Sequence, residues 1–135
     1  MPLRYLLDTN TVSYIIKGNF PHVRERLLKV PISEVGVSAI TEAELLFGVA
    51  RLPQATNLGI VVEEFLRRIE VLPWDSAAAH HYARLRAALE EHGEPIGNMD
   101  LMIASQALAV EAILVTNDRV FRRVKKLKLE DWAKP

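Results

Sequence analysis

The chain of 135 residues contains no cysteine, which excludes a disulfide scaffold, a thiolate metal site and a cysteine nucleophile together. Its apolar runs are short and broken by charges, far from the roughly 20 residues a membrane-spanning helix needs. Met1-Pro2-Leu3-Arg4 leads straight into a strand-like segment, without the charged start and long apolar stretch of a signal peptide; a cytoplasmic protein is the expectation. There is no Gly-x-Gly-x-x-Gly or Walker-type loop, so nucleotide cofactors are not indicated. Internal repeats, low-complexity stretches and Gly/Ser/Pro-rich linkers are also lacking. The length predicts one domain over residues 1–135, large enough to bury roughly two-thirds of its unfolded surface without a covalent staple.

A net charge of zero conceals an uneven distribution. Residues 1–118 carry 10 Lys/Arg and 15 Asp/Glu, a net of −5, whereas residues 119–135 carry 7 Lys/Arg and 2 Asp/Glu, a net of +5. An acidic body with a basic end hints at polyanion binding, although such a run also suits a solvated helix face.

Short apolar runs alternate with longer helix-like segments. Strands are expected at 4–7, 35–38, 70–72 and 112–115, with an edge strand around 127–129. Helices are expected at 11–17, 21–30, 41–51, 55–68, from the cap Asp75 to about 92, and at 100–110, followed by a short basic helix. This alternation predicts an α/β fold with a mostly parallel central sheet of four to five strands and helices on both faces. Ligands of such sheets bind beyond the carboxyl ends of the strands, where the strand order reverses.

Four carboxylates fall at those ends. Asp8 follows the first strand, Glu44 lies in the first turn after the second, Asp118 follows the fourth, and Asp100 opens the helix before it. Each has a structural reading. Asp8 and Asp118 suit helix caps, Thr41-Glu42-Ala43-Glu44 fits a capping box, and Asp100 suits the positive end of a helix capped by Asn98. Together, however, four carboxylates in one partly desolvated cleft would repel one another by several kcal/mol. A divalent cation resolves the conflict, and oxygen ligands without His or Cys favour Mg²⁺ or Mn²⁺ over Zn²⁺. Asn10, Ser38, Thr116 and Asn117 add neutral hydrogen-bonding groups at the same edge.

The four histidines lack the spacing of a zinc hydrolase, and Ser13 and Ser38 lack the partners of a serine triad. An Asp-nucleophile phosphatase also begins with an apolar strand ending in Asp, but usually carries a second Asp two residues on, where this chain has Asn10.

Tyr-Leu-Leu-Asp-Thr-Asn (5–10), Val-Ser-Ala-Ile-Thr-Glu-Ala-Glu-Leu-Leu-Phe-Gly (37–48), Pro-Ile-Gly-Asn-Met-Asp-Leu-Met-Ile-Ala (95–104) and Val-Thr-Asn-Asp (115–118) resemble the PIN domain, and most of all the VapC toxins of type II toxin–antitoxin modules. The likeness extends to Phe121 and to Leu-Glu-Asp-Trp (129–132). It implies a three-layer α/β/α sandwich and a Mg²⁺-dependent endoribonuclease, with Mn²⁺ as substitute, in which a metal-activated water hydrolyses RNA to 5′-phosphate and 3′-hydroxyl ends. Carried over by position, Asp8, Asp100 and Asp118 are the metal ligands and Glu44 completes the catalytic set; Glu44 is chosen over Glu42 because it precedes Leu45 as in the family motif. Thr116 matches the family's hydroxyl, with Asn10 and Asn117 as supporting groups. The basic residues Arg119, Arg122, Arg123, Lys125, Lys126 and Lys128 are candidates for substrate phosphates beside an acidic pocket. The resemblance also implies a VapB-like antitoxin that occupies the site, and a homodimer, for which Leu45, Leu46, Phe47, Leu58, Ile60, Val61 and Phe65 offer apolar surface. A non-enzymatic alternative is an inactive PIN-like module that binds RNA or a protein, but all four acidic positions are filled.

Overall fold

The structure is a computed structural model and describes residues 3–52 and 56–135. Among the described residues, five strands form one sheet: β1 (Tyr5–Leu7), β2 (Val35–Ser38), β3 (Glu70–Leu72), β4 (Ile113–Val115) and β5 (Leu129–Glu130). Their order is β3-β2-β1-β4-β5, and every neighbouring pair is parallel. The helices are α1 (Thr9–Lys17), α2 (Pro21–Leu28), α3 (Ala39–Ala50), α4 (Thr56–Arg68), α5 (Ser76–Glu91) and α6 (Asn98–Ala109), with short 3-10 turns at Ile32–Glu34 and Arg119–Arg123.

Side-chain alternation along β1 divides the interior into two cores. Tyr5 and Leu7 enter a cluster with Val12, Ile15, Val23, Leu45, Val62 and Trp132, under α1 to α4. Leu6 enters the opposite cluster with Leu89, Leu101, Ile103, Ala104 and Phe121, under α5 and α6. This is the expected three-layer sandwich, since each sheet face needs its own helical cover.

Several boundaries differ from the expectation. α1 begins at Thr9 because Asp8 itself is the cap. α3 begins at Ala39, capped by the Ser38 hydroxyl, which accepts the Ile40 amide; the capping box at Thr41 does not form. α6 begins at Asn98, with Gly97 rather than Asn98 in the cap position and no side-chain cap bond, so Asp100 lies two residues inside the helix instead of opening it. α2 stops at Leu28, the basic helix is a 3-10 turn, and the edge strand is Leu129–Glu130. The expected helix start at Ala55 lies outside the described residues.

The apolar residues assigned to a twin subunit separate into two groups. Leu45 is core, and Leu58 and Phe65 pack against it. Leu46, Phe47, Ile60 and Val61 are exposed, Phe47 by 66% and Ile60 by 60%.

Candidate active site

The register of the sheet builds the site. Leu7 is the Cα partner of both Val37 and Val115, so the residues that follow, Asp8, Ser38 and Thr116, stand side by side at the carboxyl end of the sheet. β1 lies where the chain's order along the sheet reverses, the switch point at which open α/β sheets bind ligands.

Asp8 is buried, and its two oxygens have different partners. Oδ1 accepts the Thr11 amide at 2.8 Å and so caps α1. Oδ2 accepts the Thr116 hydroxyl at 2.5 Å. Burial raises the Asp8 pKa above its ordinary value; the bonds from Thr116 and Thr11 oppose that rise, and the charge of Asp118 adds to it. The cap and the site are therefore the same residue in two roles.

Thr116 also ties in the fourth carboxylate, since its Oγ1 accepts the Asp118 amide at 3.0 Å. Asp118 in turn caps the 3-10 turn, with Oδ1 accepting the Val120 amide at 3.0 Å. Glu44, one helical turn into α3, accepts the Thr9 hydroxyl at 2.5 Å, and Thr9 Oγ1 stands 3.1 Å from Thr41 Oγ1. Asp100 rides on α6, which two bonds fasten to the end of β3: Trp74 Nε1 donates to the Met102 carbonyl at 2.9 Å and Gln106 Nε2 to the Pro73 carbonyl at 2.8 Å.

Asp100 shows how the four carboxylates act on one another. Its pKa is pushed up to about 6, first by desolvation and then by the charges of Asp118, Glu44 and Asp8. No arginine, lysine or histidine of the described residues is among the groups acting on Asp8 or Asp100. Among the described residues, no three His, Asp or Glu side chains stand close enough together to hold an ion between them. The donor chemistry, all oxygen and uncompensated, suits Mg²⁺, which keeps much of its water and takes one or two carboxylates directly. It does not fit Zn²⁺, which prefers a closed tetrahedral set rich in nitrogen or sulfur.

The supporting residues sort differently. Thr116 is central, whereas Asn10 is exposed and Asn117 pairs with the Tyr14 hydroxyl, which donates to Oδ1 at 3.3 Å and accepts from Nδ2 at 3.2 Å; among the described residues neither bonds to any of the four carboxylates. Thr9 and Thr11, between Asp8 and Val12, were not singled out from sequence. Thr11 Oγ1 donates to the Val115 carbonyl at 3.0 Å, tying α1 to β4. Their signal lay in the Asp-Thr-Asn-Thr run, which reads equally as capping composition.

The basic run divides in two. Arg119 and Arg122, with Lys134, line a cleft of about 260 Å³ that also contains Thr116 and Asp118. Arg123, Lys125 and Lys126 instead line a separate groove against α5.

Residues 5–127 match the PIN domain family. The chain belongs to it. Its curated relatives include a tRNA(fMet)-specific endonuclease VapC from Salmonella typhimurium, 41% identical over 133 residues, covering 97% of this chain and 99% of that protein. The ribonuclease VapC2 of Rickettsia felis is 36% identical over 132 residues, covering 96% and 98%. Among solved structures, a DNA-bound VapBC from Salmonella typhimurium superimposes with a TM-score of 0.90 at 39% identity, covering 96% of this chain and 98% of that one. VapBC2 of Rickettsia felis, bound to a promoter DNA fragment, gives 0.88 at 34% identity, covering 96% and 99%. Within the family this PIN domain is of the VapC type. The Asp-nucleophile phosphatase finds no support in these relatives.

Proposed function

We propose that this PIN domain is a Mg²⁺-dependent endoribonuclease acting as the toxin of a VapBC-type toxin–antitoxin module, with Mn²⁺ able to replace Mg²⁺. The observation that carries the reading is Asp100, held half-buried at the switch point within the fields of Asp8, Glu44 and Asp118. Asp8 and Asp100, with Asp118, would hold the ion, directly or through its water. When bound, the ion neutralises these charges, polarises the scissile phosphate and makes water acidic enough to attack it. Thr116 keeps the Asp8 carboxylate oriented by its hydrogen bond to Oδ2. Glu44, held by the Thr9 hydroxyl, would help to take up the proton as water attacks phosphorus and the 3′-oxygen leaves. Arg119 and Arg122 line the same cleft as Asp118 and would hold the phosphates that the acidic cluster alone would repel.

A VapB-like antitoxin is the proposed protein partner, and a Lys or Arg of that partner entering the carboxylate cluster would compete with the ion. The exposed Leu46, Phe47, Ile60 and Val61 support a homodimer, since such a patch is costly to leave in water. The proposed compartment is the cytoplasm, where RNA is available. No helix among the described residues is long and apolar enough to cross a membrane.

The test is cleavage of RNA by the purified chain. Activity with Mg²⁺ or Mn²⁺, abolished by EDTA and giving 5′-phosphate ends, is expected. Equal cleavage in EDTA, or better restoration by Zn²⁺ than by Mg²⁺, would defeat the all-oxygen site.

A further inference from the structure

The groove on the α5 side of the molecule is distinct from the carboxylate cleft. It encloses about 530 Å³ between α5, the end of α6 and the segment after the 3-10 turn. Arg84, Arg123, Lys125 and Lys126 stand at its rim against one carboxylate, Glu94. All four cations are exposed, and among the described residues none is in an ion pair. Arg84 comes from a different element some 40 positions away in sequence, so the concentration of charge is a product of the fold and not only of the basic run. His81 and His92 add two imidazoles to the same wall.

Its floor is apolar: Leu89 and Val124 are buried, Leu85 and Leu108 half-buried and Ala88 exposed. Its rim carries four cations without an ion-pair partner among the described residues, and a run of phosphates complements such a row of charges. One turn of chain separates it from the carboxylate cleft. The 3-10 turn Arg119–Arg123 carries Arg119 and Arg122 on the cleft side and Arg123 on the groove side. At roughly 2 Å per residue the turn spans about 8 Å, roughly two nucleotides of a stacked strand.

We propose that this groove is a second RNA-binding site, which holds the sugar–phosphate backbone of the substrate a few nucleotides from the cut. The inference rests on the ribonuclease reading and adds to it a place. A body of net charge −5 over residues 1–118 repels RNA, so the attraction that brings substrate in comes from this end of the chain. Recognition of this kind is by phosphate and carries no base sequence.

The experiment measures binding of fluorescein-labelled RNA of 30 and of 6 nucleotides to the uncut complex formed by the Asp8→Asn chain, by anisotropy across a salt series. On that background the triple variant R84Q/K125Q/K126Q is compared with R67Q/R68Q on α4, on the opposite face of the sheet. Arg123 is left intact because it donates to the Pro95 carbonyl at 2.6 Å. The triple variant should bind the 30-mer about tenfold more weakly, with a salt slope shallower by about 2 for three lost phosphate contacts. The 6-mer should lose less. An unchanged slope, an equal loss for both lengths, or an equal effect of the α4 variant overturns the site. So does a triple variant that keeps its RNA slope but loses retention of an acidic helical peptide, which would make the groove a protein dock. Failure of the wild-type chain to cut RNA, with the slope difference present, removes the ribonuclease reading and leaves the RNA site standing.

Discussion

Thr9 donates its hydroxyl hydrogen to Glu44 across 35 positions of sequence, joining the first turn of α1 to the first turns of α3. A carboxylate only accepts, and a hydroxyl has one hydrogen, so the direction of the bond is determined. Thr41, buried and 3.1 Å from Thr9 Oγ1, is then left to donate to Thr9 rather than to accept from it. The result is a short chain of hydroxyls that ends on the carboxylate and selects one of its rotamers.

Thr9→Val keeps the shape of the side chain and removes the bond. RNA cleavage should fall about tenfold to a hundredfold, at or below the low end of the roughly 10²–10⁴-fold that a general base contributes, because Glu44 stays in place and loses only its orienting partner, while the melting temperature moves by no more than a few degrees. Thr9→Ser restores the hydroxyl and should recover most of the activity. A Val variant as active as wild type would show that Glu44 needs no such partner.

The order of elements was legible because the apolar runs are short and bounded by capping and turn residues, and because helix-length segments separate them. Asp8 and Thr116 were legible for the same reason, each following directly on an apolar strand. Glu44 was legible as a residue but not in its contacts. Thr41-Glu42-Ala43-Glu44 has the pattern of a capping box, yet the strand ends at Ser38, whose own hydroxyl caps the helix three residues earlier. Once Ser38 does so, Glu44 is free to turn toward α1. Thr9 was hidden because a Thr after Asp reads as capping composition; its partner is set by how α1 crosses α3. The division of the basic run was hidden too, since a 3-10 turn sends neighbouring residues to different faces.

The raised pKa of Asp100 has a signed consequence for stability. The unfolded chain releases this proton near the ordinary 3.8, whereas the folded protein keeps it to about 6. Between those values the folded state binds more protons, so stability falls as pH rises through the window and stays lower above it. Asp8 is shifted in the same direction and contributes with the same sign. In EDTA, Asp100→Asn should melt above wild type at pH 8, on the order of 3 °C higher, because Asp100 is half-exposed and solvent screens part of the repulsion. Near pH 4 the difference should vanish. Melts over pH 4–8 check this, and a gain confined to pH 4 would reverse the sign.

The exposed apolar residues of α3 and α4 supply a prediction on assembly. Phe47→Glu places a charge at the most exposed aromatic of the patch, where Arg51 lies 6.0 Å over the ring. In a homodimer built on this face, the variant should become monomeric at micromolar concentration by light scattering, with its melting curve still cooperative. A wild-type chain that is already monomeric there would remove the dimer and leave the carboxylate site intact.

Asp8→Asn separates the carboxylate's charge from its cap. The amide oxygen can still accept the Thr11 amide, and Asn caps about as well as Asp. The amide nitrogen can donate to Thr116 Oγ1, reversing the bond that Asp8 Oδ2 now accepts. The hydrogen bonds are thus replaced in kind, and what is lost is one buried negative charge near Asp118 and Asp100. Stability in EDTA should stay level or rise, because a desolvated charge and a repulsion have gone. Cleavage should fall by at least about a hundredfold, since the ion would lose a ligand. Asp75→Asn is the matched control: Asp75 caps α5 by accepting the Ala78 amide at 3.1 Å, and nothing else in the structure assigns it a role. That variant should keep both activity and stability. If Asp8→Asn behaved like Asp75→Asn, folded and as active as wild type, Asp8 would be a helix cap and no more.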